Sequence, residues 1–134
     1  MTTPHDILHP ARWAPAKGYA NGISARGRMI FTGGLIGWTA EQLFETDDFA
    51  GQAAQALRNV VEVLAAGDAR PEHLVRLTWY VTDKREYLAS LPSLGAAYRD
   101  IIGRHYPAMA LVQVAGLVED RARVEIEATA VVPD

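Results

Sequence analysis

The stretch from Val124 to Val132 leaves the chain little freedom, because Val124, Ile126, Ala128 and Ala130 alternate with Glu125, Glu127 and Thr129. Successive side chains of a strand point to opposite faces, so this segment reads as a β-strand with one apolar and one acidic face. An apolar strand face has to be covered, and the rest of the chain must supply the cover. The preceding segment, Ala108 to Ala115, puts Met109, Leu111 and Gln113 on one face and Ala110, Val112 and Val114 on the other. Both of its faces are apolar, which predicts burial on both sides.

Two segments have the pattern of covering helices. From Asp47 to Ala66, Phe49, Ala53, Leu57, Val60 and Leu64 recur at helical spacing, with Asp47 and Asp48 at the start and Gly67 at the stop. Asp83-Lys84-Arg85-Glu86 has the form of a capping box and introduces a second helix, with Tyr87, Leu91, Leu94, Tyr98 and Ile101 on its buried stripe and Gly103 at its end. Pro92 either kinks the first turns of that helix or starts the helix proper. Between the two, Leu74 to Val81 is rich in β-branched and aromatic residues and predicts a central strand. Val75, Leu77, Trp79 and Val81 form its apolar side, Arg76, Thr78 and Tyr80 the other.

Near the start, Tyr19–Ala25 and Met29–Gly34 flank Arg26-Gly27-Arg28 and predict a hairpin. Gly33, Gly34 and Gly37 let backbone approach something closely, in a strand that ends in a bulge, and Trp38 is a candidate pocket wall. Residues 1–16 contain Pro4, Pro10 and Pro15 and read as an extended lead-in. His5 and His9 have i, i+4 spacing that suits a metal only on a helix, which the prolines oppose, so no metal site is expected. The order strand, strand, helix, strand, helix, strand, strand predicts a single α+β domain over 1–134: a mixed sheet with two helices on one face, ββαβαββ.

Composition narrows the function. The net charge is −3 and none of the 13 Lys and Arg form a run, which argues against nucleic acid as a partner. The absence of cysteine rules out thiolate nucleophiles and disulfides. Residues 1–10 show no basic region followed by an apolar run, and no stretch approaches the roughly 18 apolar residues of a spanning helix, so a cytoplasmic protein with no membrane partner is expected.

Two helices cover only one sheet face. The other is expected to show Met109, Leu111 and Val131 beside Thr129 and the carboxylates, an apolar area that needs a partner. A second copy of the chain is the simplest one, giving a closed homo-oligomer with pockets between subunits. Glu125 and Glu127, about 7 Å apart on one strand face, are then either groups poised in a cleft to carry protons or surface acids paired with Arg121 and Arg123.

Gly18-Tyr19-Ala20-Asn21-Gly22, Ile30-Phe31-Thr32-Gly33-Gly34, and above all Tyr106-Pro107-Ala108 leading to Val124-Glu125-Ile126-Glu127-Ala128, resemble the Rid (YjgF) family of reactive intermediate deaminases over about residues 15–132. The resemblance implies a chorismate-mutase-like fold and a homotrimer with small-molecule pockets between subunits. It also implies cofactor-independent hydrolysis of enamines and imines to keto acids and ammonia. On that resemblance Tyr19 matches the pocket tyrosine and Glu125 the water-positioning glutamate, while the Tyr19 hydroxyl and the Gly34 backbone amide orient the substrate. The arginine that grips the substrate carboxylate is replaced by Met109, the serine by Gly33, and the cysteine by Leu111, which marks a divergent branch. Losing a buried charge-assisted pair costs about 2–5 kcal/mol, so small 2-imino acids should bind poorly. Two functions stay open: a deaminase of an enamine or imine on a larger, more apolar substrate, or a non-catalytic trimer that binds an apolar metabolite or a partner enzyme. Ribonuclease activity fits an acidic chain without a basic stripe least well.

Overall fold

In a computed structural model, residues 3–134 are described; the first two residues of the lead-in lie outside them. The elements in chain order are β1 (Asp6–Leu8), β2 (Gly22–Ser24), β3 (Arg28–Phe31), β4 (Leu35–Ile36), α1 (Phe49–Ala66), a 3-10 turn (Pro71–His73), β5 (Leu74–Val81), α2 (Lys84–Ala89), α3 (Leu91–Ile101), β6 (Ala108–Gln113) and β7 (Val124–Val132). The alternating segment is the middle of the main sheet, whose order is β3-β7-β5-β6, with β4 also on β7. All neighbours are antiparallel except β5 and β6, which run parallel across the connection carrying α2 and α3. Leu77, Trp79 and Val81 join Val124, Ile126, Ala128 and Ala130 under α1 and α3 in one core. The α+β mixed sheet with helices on one face is therefore the architecture adopted. No described helix is long and apolar enough to cross a membrane.

Asp48 caps α1 by accepting from the Gly51 N–H, and Gly67 ends it. The second helical segment is two helices rather than one. They meet at Ser90, and Pro92 sits in the first turn of α3, where its missing N–H leaves no bond unmade. Leu94 and Tyr98 of α3 and Ile102 at its C-cap are buried, while Ile101 is only half-buried.

Four expectations are corrected. No hairpin joins residues 19–34: β2 pairs with β1, so the lead-in contains a strand, and β3 pairs with β7. The chain changes partner at Gly27, whose φ of 146° carries it against the end of β7, and Ile30 finds its core only beside that strand. On β5, a register shift between Leu74 and Arg76 turns Leu74 into the core and leaves Val75 half-buried. The strand β6 is an edge strand with Ala110, Val112 and Gln113 exposed, so it is not buried on both faces. Met109 and Leu111 stand in register with Leu77 and Trp79, on the helix-covered face and away from the carboxylates. Val131 is only 5% exposed, so the outward apolar patch consists instead of Met29, Phe31 and Val112.

Candidate active site

The outward face of β7 carries Glu125 and Glu127, both half-buried. The arginines next to them in sequence do not neutralise them: Arg121 pairs with Asp47 at 3.0 Å and Arg123 with Glu86 at 2.7 Å. Glu127 accepts a 2.7 Å hydrogen bond from the Tyr80 hydroxyl. That bond, more than burial, holds the phenol proton and raises the Tyr80 pKa above its ordinary value. Glu125 has neither an ion pair nor such a donor among the described residues. Its carboxylate lies against Gly34, where a Cβ would overlap Oε2. The glycine run therefore does what its composition suggests, since Gly34 admits the carboxylate and Gly37 admits the backbone of Gln52. The bulge between β3 and β4 is held by Thr32, whose Oγ1 accepts from Ala128 N–H at 2.9 Å.

Glu125 faces a cavity of about 580 Å³, whose walls include Gly34, Trp38, Asn59, Glu62 and Glu119. Two of the side chains that shape this region carry no obvious sequence signature. Asn59 on α1 donates to the Ile36 and Trp38 carbonyls at 3.0 and 2.8 Å, fastening the Trp38 wall to the helix. Gln52, wholly buried, donates to the carbonyls of Thr46 and Arg121 and accepts from Arg123 N–H, fixing the approach to β7.

A second cavity, of about 340 Å³, lies on the helix side of the sheet. Ala20 bridges Ala108 in parallel, with its N–H on the Pro107 carbonyl at 3.0 Å, and this lays Tyr19 beside the start of β6. Tyr19 and Met109 line this cavity with Trp79, Tyr87, Tyr98 and Tyr106. The structure thus sorts the candidate residues into two groups, Glu125 with Gly34 and Tyr19 with Met109, on opposite faces of the sheet. Gly33 and Leu111 line neither cavity: a Cβ on Gly33 would meet open space and Leu111 packs against the core.

His5 and His9 do not converge. The His5 Nε2 donates to the His73 carbonyl, and His9 bonds Trp13 and Asn21. Among the described residues no group of three His, Asp or Glu is placed to hold a metal.

Comparison with known proteins gives consistent matches. The profile of the family described as endoribonuclease L-PSP matches residues 10–132. The 2-iminobutanoate/2-iminopropanoate deaminase of Escherichia coli K12 is 32% identical over 116 residues, 84% of this chain and 86% of the relative. The crystal structure of the Rid-family protein YyfB from Yersinia pestis superposes with a TM-score of 0.84 at 26% identity, over 96% of this chain and 98% of the other. That of E. coli TdcF with bound serine gives 0.67 at 30% identity, over 95% and 98%.

Proposed function

Because the chain belongs to the endoribonuclease L-PSP family, the Rid (YjgF) proteins, we propose that it is a deaminase that hydrolyses an enamine or imine to a carbonyl compound and ammonia. The observation that carries this reading is the Glu125 carboxylate, half-buried at a cavity wall, seated on Gly34 and with no cation paired to it among the described residues. A carboxylate so placed can take a proton from water as the oxygen bonds to the carbon of a protonated imine, which an enamine reaches by taking a solvent proton at carbon. It then returns that proton to nitrogen and accepts the carbinolamine's hydroxyl proton as the C–N bond breaks, so that a carbonyl compound and ammonia leave. Water is the only co-reactant, so no cofactor is required. The Gly34 amide and the Tyr19 hydroxyl orient the substrate.

The two residue groups can act together only if the Glu125 face of one copy meets the Tyr19–Met109 cavity of another, so the reading includes a homotrimer with pockets between subunits. Support comes from Met29 and Phe31, 58% and 65% exposed on the outward face. At the substrate end Met109 offers no charge, which favours a larger and less acidic substrate than the 2-imino acids named for the E. coli relative. The same methionine supports the second reading, a trimer that binds an apolar metabolite or a partner enzyme without turning anything over.

The test is ammonia release from imines generated in situ from a panel of aliphatic and aromatic amino acids. Glu125→Gln keeps the side-chain volume, and the expected result is a fall of at least a hundredfold in kcat with the oligomer mass unchanged. An unchanged rate removes Glu125 from the chemistry, and no turnover by the native protein on any imine leaves the binding protein as the function.

A further inference from the structure

The helix-side cavity has features that imine hydrolysis alone does not require. Five of its wall residues are aromatic, Tyr19, Trp79, Tyr87, Tyr98 and Tyr106, and its charged residues are two cations, Lys17 and Arg99, with no carboxylate among the lining. Gly95, one turn before Arg99, leaves room for its head: a Cβ there would come within 3.3 Å of the guanidinium Nη1. Tyr98 and Tyr106 are stacked at 5.2 Å, and Trp79 and Tyr87 meet edge-on at 6.4 Å. Trp79 is 2% exposed, and its buried Nε1–H has no acceptor among the described residues.

From these observations we propose that the cavity is a binding site for a planar aryl carboxylate, its ring among the aromatic side chains and Met109, its carboxylate at Lys17 and Arg99. Aromatic walls favour an aromatic guest through offset and edge contacts, and the Met109 thioether adds a favourable sulfur–ring contact. About 340 Å³ suits a small molecule rather than a peptide or a lipid chain. Two cations beside an apolar wall select an anion and orient it. The inference deepens the deaminase reading and rests on it only for the imine. The clamp missing at Met109 is supplied one ring farther out, so the substrate carries its carboxylate on an arm remote from the reacting carbon.

The test is calorimetric titration of the whole protein with trans-cinnamate, with cinnamyl alcohol as the uncharged control and cyclohexanepropionate as the non-planar one. Cinnamate is expected to bind at least tenfold more tightly than either. Lys17→Ala and Arg99→Ala should each weaken cinnamate by about tenfold, one charge-assisted contact, and leave the alcohol within twofold. Gly95→Ala, which adds a methyl to the cavity wall within 3.3 Å of the Arg99 Nη1, should weaken cinnamate several-fold. Cinnamate that binds no better than the alcohol, or that ignores both cation substitutions, overturns the inference whatever the protein does to imines. Glu125→Gln separates the two claims: cinnamate affinity should stay within threefold while ammonia release is lost. Retained ammonia release with the cinnamate pattern intact removes the deaminase mechanism and leaves the aryl carboxylate site standing.

Discussion

Glu125 and Gly34 are in contact although ninety residues separate them, and each constrains the other. Gly34→Ala adds a methyl where Oε2 lies, but the obstacle is the end of a flexible side chain, which can swing aside. The expected outcome is a fold that melts within a few degrees of the native protein and a kcat lower by roughly 10- to 100-fold, because a carboxylate displaced by about 1 Å no longer aligns its water. A melting curve and an ammonia assay on the same preparation check it. The histidines supply a second test at this scale. His73 Nδ1 accepts from the Arg70 N–H at 2.9 Å, and the His105 Nε2 donates to the Leu74 carbonyl at 2.7 Å. Burial lowers the pKa of both below 6.5; around His73 Glu72 opposes the shift while Arg70, His5 and Arg28 add to it, and around His105 the bond to Leu74 and Glu72 oppose it while His5 adds. The unfolded chain takes up protons at these rings before the folded one does, so their stabilisation is complete above about pH 6.5 and is lost as pH falls below it. The urea midpoint should stay level from pH 8 to 7 and decline from 6.5 to 5, and His73→Gln, which keeps an acceptor but cannot titrate, should flatten part of that decline. Period-2 alternation was enough to place Glu125 and Glu127 on the strand face opposite the apolar residues, as β7 has them. It could not say which face Met109 shares, because parity groups residues without saying which side the helices cover; the register of Met109 with Leu77 decides that.

Among the elements, β5, α1 and β7 were legible to within two residues, since each carries its own periodicity and its own stop. The hairpin was not. Residues 22–31 contain two strands that pair with sequence-distant partners, and local turn chemistry around Gly27 cannot reveal that β7 offers a better edge. The same limit hid Gln52, whose importance lies in what it reaches. As the only described side chain bonded to Thr46 O, Arg121 O and Arg123 N together, it ties α1 to the segment that leads into β7. Gln52→Leu preserves volume and leaves these three backbone groups without the amide, at a cost of about 2–5 kcal/mol. Urea unfolding should show a lower midpoint with an unchanged slope, and the loop from 117 to 123 should gain hydrogen exchange before α1 does, since the helix keeps its own bonds.

At the scale of the molecule, the two groups of candidate residues lie on opposite faces of one sheet, and the outward face shows Met29, Phe31 and Val112 to water. The sequence could indicate that a face lacked cover; it could not show how copies would meet, since no covariation or local pattern encodes a symmetry axis. If the Glu125 half-site of one subunit completes the Met109 half-site of its neighbour, each defect can be supplied in trans. Met109→Trp fills the helix-side cavity and Glu125→Gln removes the base, so either variant alone should be inactive. In a trimer reassembled from an equal mixture, a pocket is intact when its glutamate comes from a Met109→Trp subunit and its methionine from a Glu125→Gln subunit, which random assembly gives in about a quarter of pockets. Ammonia release should therefore recover to about a quarter of the native rate, and light scattering should report a mass about three times the 14.6 kDa chain. Half-sites working within one protomer would instead leave the mixture as inactive as its parents, because every pocket would then contain one defect or the other.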